Sequence, residues 1–131
     1  MSDKDTEALL SRQALEEIFP GHKADQFFEA LFGDSSEGSF DIGLSFVARK
    51  GEVLELEFQL RERSGKCLAC NLTYGLPQVF SRHPVIDVPG VVQQVTSRVN
   101  GSRVRTWELG RTKEVSKDLH VIPLTITLDQ G

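Results

Sequence analysis

The chain is poor in several things, and each shortage excludes something. Among its 131 residues there are two cysteines, too few for the disulfide framework of a small secreted domain. No run of 18 or more apolar residues occurs, so no segment reads as a membrane-spanning helix. The first residues, Met-Ser-Asp-Lys-Asp-Thr-Glu, are acidic and polar and lack the apolar stretch of a secretory signal; cytoplasm is the expected location. No glycine-rich phosphate cradle, HExxH or EF-hand pattern is present, and no cofactor is expected. There is one Trp and one Tyr. The eight Phe must therefore carry most of the aromatic packing.

What is present suits a single α+β domain over residues 1–131, with residues 1–5 expected to be disordered. Charge is uneven. Residues 1–41 hold three basic and ten acidic side chains, and residues 42–131 hold twelve and nine. The first stretch suits acidic helices; the mildly acidic total disfavours nucleic acid as a partner.

Residues 6–18 have helical spacing (Leu9, Leu10, Ala14, Leu15, Ile18), and a second helix is expected over 23–32 with Phe27, Phe28 and Phe32 apolar. The period then changes to two. Phe40, Ile42, Leu44 and Phe46 alternate with polar or small residues, as do Leu54 to Leu60 and Leu68 to Tyr74, which predicts an antiparallel meander with one wet face. Residues 75–90, rich in proline and glycine, form a connection that leaves the sheet and returns. Asp87-Val88-Pro89 opens a helix whose face is Val88, Val91, Val92, Val95 and Val99. The rival, a valine strand turning at Asn100-Gly101, would place Arg98 opposite Arg103. Strands over 102–110 and 119–128 follow, separated by a polar loop over 110–118. Pro123 marks the last strand as an edge, or as bulged. The expected order is ααβββαββ: two N-terminal helices, then a five-stranded antiparallel sheet with one inserted helix.

Few residues invite chemistry. Cys67-Leu-Ala-Cys70 has metal-knuckle spacing, but in a strand its two thiols point to opposite faces, and no glycine or proline bends the chain between them. Ser81-Arg82-His83-Pro84 offers an anion-binding guanidinium and an imidazole, without a nucleophile elbow. Arg98, Arg103, Arg105, Arg111 and Lys113 are basic, but Glu108 and Glu114 interrupt them. Glu55 and Glu57 share a strand face that reads as solvated.

Three functional readings follow. The first is a non-catalytic protein-binding module (adaptor, assembly factor or small acidic chaperone) acting as a dimer, with Phe27, Phe28 and Phe32 as docking side chains. The second is a small-molecule site between helices and sheet, with Tyr74, Arg82, His83 and Trp107 at its mouth. The third is a metal or redox role for Cys67 and Cys70. The strand geometry of the cysteines predicts that the purified protein carries no zinc. Elemental analysis returning stoichiometric zinc, released by Cys67→Ser, would reverse that reading.

Overall fold

The computed structural model describes residues 3–33, 40–63, 76–99 and 103–129. Three short helices come first: α1 (Asp3–Leu9), α2 (Arg12–Ile18) and α3 (His22–Phe32). Strands β1 (Phe40–Lys50) and β2 (Val53–Glu62) follow, then helices α4 (Leu76–Arg82) and α5 (Val88–Ser97), then strands β3 (Arg103–Leu109), β4 (Lys113–Ser116) and β5 (Leu119–Asp129). This is the α+β arrangement expected: helices, then a five-stranded antiparallel sheet with inserted helix.

The sheet runs β1-β2-β5-β3, with β4 also paired to β5. One face carries the core. Leu54, Leu56, Phe58 and Leu60 of β2 lie opposite Ile126, Leu124, Ile122 and His120 of β5. The apolar members of this set are essentially without solvent exposure. The period-two pattern thus decides which face the helices cover. The outer face of β2 bears a polar ladder: Arg61 donates to Gln59 (3.1 Å), and Gln59 donates to Glu57 (3.2 Å).

Edge-to-face phenylalanine contacts fasten the helices to this sheet. Phe40 meets Phe28, Phe28 meets Phe27, Phe27 meets Phe80, Phe80 meets Phe58 and Phe58 meets Phe19, with centroids 4.8–5.5 Å apart. Arg63 adds a polar clamp at the end of β2. It bonds Asp25 of α3 (2.7 Å) and Asp41 of β1 (3.0 Å), and its guanidinium lies 5.4 Å from the Phe28 ring centre.

Several expectations are corrected. The helix expected over 6–18 is two helices, because Ser11 caps the second: its hydroxyl accepts from the Ala14 N–H at 3.2 Å. Helix α1 begins at Asp3, inside the stretch expected to be disordered. Part of the 75–90 connection is the helix α4, whose buried anchor is Phe80. Part of the 110–118 loop is the strand β4; all four of its residues are exposed, so no burial pattern marks it in the sequence. The expected strand over 68–74 lies outside the described residues.

Pro123 is not at an edge. Strand β5 is central, with β2 on one side and β3 and β4 sharing the other. The Pro123 carbonyl accepts from the Gly110 N–H (2.8 Å), so its nitrogen also points toward the β3–β4 side. There the neighbouring strand is interrupted between Leu109 and Lys113, and the missing donor falls at the break. Gly110 packs on the proline ring, where an added Cβ would come within 3.3 Å.

Residues 88–97 are helical, against the strand alternative. Asp87 takes a left-handed conformation (φ 49°, ψ 59°), and its carboxylate accepts from the Gly90 N–H at 3.3 Å. A Cβ at Gly90 would run into that carboxylate, so glycine is what lets the cap close. Asp and Asn tolerate this backbone and cap equally well, whereas Ala does neither. Asp87→Ala is expected to lose about 1–2 kcal/mol in urea unfolding, and Asp87→Asn to remain near wild type. Equal losses in both variants would contradict the cap.

Candidate functional site

The residues expected to bind do not converge. Arg82 and His83 end α4 and line a shallow cleft of about 380 Å³ with Gln78, Val79 and Pro84. Trp107 is not in that lining: it lies on the inner side of β3, opposite Ile126, and packs half-buried against the core. Tyr74 lies outside the described residues, as do Cys67 and Cys70.

Local structure already engages His83, Ser81 and Asp87 of this segment. The His83 Nδ1 accepts from the Val85 N–H (3.2 Å), which places the proton of the neutral ring on Nε2. The ring stands edge-on to Phe27 at 4.9 Å. Ser81 donates to the Gln78 carbonyl (2.9 Å), and Asp87 caps α5. Among the described residues, no side-chain bond joins Ser81, His83 and Asp87 to one another.

The docking side chains also change place. Phe27 and Phe28 are buried in the core, with 0% and 4% exposure, so they offer no surface to a partner. Both belong to the ring chain that holds α3 to β1 and α4, and that burial is what one small domain spends them on. The Phe32 side chain lies outside the described ones. The basic residues spread out as well. Arg98 pairs with Glu17 at 3.0 Å, joining α5 to α2, and Arg105 is the bulged residue of β3.

The larger concavity is elsewhere. An open groove of about 760 Å³ runs beside β1, lined by Glu7, Leu10 and Arg12 from the α1–α2 segment, Leu44 and Phe46 of β1, and Arg61 of β2. It takes Leu44 and Phe46 from the inner face of β1 and Ser45 from the outer one, so it follows the edge of the strand. Phe40 and Ile42 are buried, while Leu44 and Phe46, next along the same face, are only half-buried. Val47 follows as a bulge and is 52% exposed. Beyond it the face assignment shifts: Arg49 lies opposite Leu54 on the inner face, and its guanidinium bonds Thr6 (3.2 Å) and the Gly51 carbonyl (2.9 Å). Among the described residues, only β2 pairs with β1.

The arrangement therefore brings together the side of β1 that no described strand pairs, apolar side chains beside it, and charges of both signs at the rim. The sequence carried no signal for this site, since Leu44 and Phe46 continue the alternation of Phe40 and Ile42 without distinction. No described helix is long and apolar enough to cross a membrane. Comparison with protein-family models, with curated proteins and with solved structures finds no match for this chain.

Proposed function

We propose that the protein is a non-catalytic protein-binding module of the adaptor, assembly-factor or chaperone kind, and that its binding surface is the groove along β1. The observation that supports this reading is a strand that pairs on one side only among the described residues, and whose inner-face side chains are only half covered where the groove runs beside them. An extended segment laid against residues 40–46 would gain main-chain hydrogen bonds from the strand, and would place alternate side chains beside Leu44 and Phe46. Glu7, Arg12 and Arg61 would bias the choice of segment through rim charges. The bulge at Val47 ends the regular part of the edge and limits how far such pairing extends. The cytoplasm is the compartment proposed, since two cysteines build no disulfide framework.

The small-molecule reading has less behind it. Among the described residues, the buried side chains between helices and sheet form one packed cluster, and the Arg82–His83 cleft is about 380 Å³ against about 760 Å³ for the groove.

A displayed library of random peptides tests the proposal. Selection on the wild-type protein is expected to enrich extended sequences with alternating apolar residues, and Phe46→Asp to weaken them by about tenfold or more while circular dichroism stays unchanged. Enriched peptides that bind the folded Phe46→Asp protein equally well would contradict it, as would a selection with no enrichment.

A further inference from the structure

We propose that the segment taken up by the β1 edge is β1 of a second copy of this chain, in an antiparallel two-fold pairing centred on Ser45. This rests on the reading of β1 as the binding edge and names its partner. The register of β1 itself points to this partner. Paired with β2, residues 41, 43 and 45 face outward and 42, 44 and 46 inward. Beyond the bulge the assignment reverses, so that Ala48 and Lys50 face outward and Arg49 inward.

Two such strands placed antiparallel about Ser45 match face for face along their length. On the outer face, Asp41 meets Lys50 of the second copy, Gly43 meets Ala48, and Ser45 meets its own equivalent. On the inner face, Leu44 meets Phe46 and Ile42 meets Arg49. The bulged Val47 of each copy falls between matched pairs, as an extra residue does in a bulged ladder. The bulge turns Arg49 inward and Lys50 outward, so Lys50 is the cation that shares the outer face with Asp41.

The pairing is thus self-complementary in charge at Asp41–Lys50 and in apolar character at Leu44–Phe46, as a two-fold interface requires. Asp41 and Lys50 are both exposed and placed to meet twice by symmetry. The half-covered Leu44 and Phe46 become a cross-strand apolar pair, of a type that stabilises antiparallel sheets. Eleven residues of β1 give an edge about 35 Å long, and the groove beside it adds area on the inner side. The two sheets become one continuous sheet, joined along the side of β1 that no described strand pairs.

Charge exchange tests this directly. Sedimentation equilibrium of the wild-type chain is expected to show a reversible dimer. Lys50→Asp and Asp41→Lys should each raise the dimer dissociation constant by about tenfold or more, because each creates two like-charge contacts. Mixing the two variants in equal amounts should restore dimerisation, since both contacts are then attractive. Lys50 is exposed, so Lys50→Asp stays informative even if Asp41→Lys, which also breaks the bond to Arg63, perturbs folding. A wild-type chain that stays monomeric at the highest soluble concentration would overturn the second copy as partner, and the peptide selection would still decide whether β1 is a binding edge. A dimer indifferent to both substitutions, or a mixture no tighter than its components, would overturn the register.

Discussion

The chain of phenylalanine rings from Phe40 to Phe19 is the interaction on which the rest depends. It joins β1, α3, α4, β2 and the end of α2 through five edge-to-face contacts. The helices here are short, the longest having 11 residues, and isolated helices of that length are marginal in water. What holds them is burial of one face against the sheet, and the rings supply much of that burial. Phe19, Phe27, Phe58 and Phe80 are among the largest fully buried side chains in the described structure. The Arg63 clamp works at the rim of the same cluster, with its guanidinium against Phe28. Surface ion pairs contribute little singly, so the clamp fixes the geometry of β1 and α3 more than it stabilises the fold.

This use of the rings explains what remains available. Phe27 and Phe28 are spent on cohesion. The cluster reaches β1 through Phe40, near one end of the strand, and Leu44 and Phe46 lie beyond its coverage. The groove is the consequence: the α1–α2 segment stands beside the middle of β1 without closing over it. At the far side of the sheet the constraint is different. Pro123 can sit in a central strand only because β3 and β4 are broken opposite it, and Gly110 fits there because it lacks a side chain.

Much of the frame was legible in the residues. The alternation of Leu54–Leu60 and of Ile122–Leu128 located two strands, though not their central place in the sheet, and Asp87-Val88-Pro89 located α5 against a plausible strand alternative. The less legible parts share a physical cause. Strand β4 is exposed on all its residues, so its pairing leaves no hydrophobic period. The break at Ser11 is a capping event inside an unbroken apolar stripe. Pro123 suggested an edge or a bulge because its missing donor needs no partner there; its nitrogen in fact faces a gap in the neighbouring strand of a central β5. The groove was invisible because exposure of Leu44 and Phe46 depends on how far the helices reach across the sheet.

Ring-to-ring packing, beyond apolar burial alone, ties the helices to the sheet. A double-mutant cycle on Phe27 and Phe80, each changed to Leu, measures it by urea unfolding. A coupling of about 0.5–1.5 kcal/mol is predicted for this edge-to-face pair. Additive losses in the double variant would mean that the rings act as bulk alone, and would contradict the account.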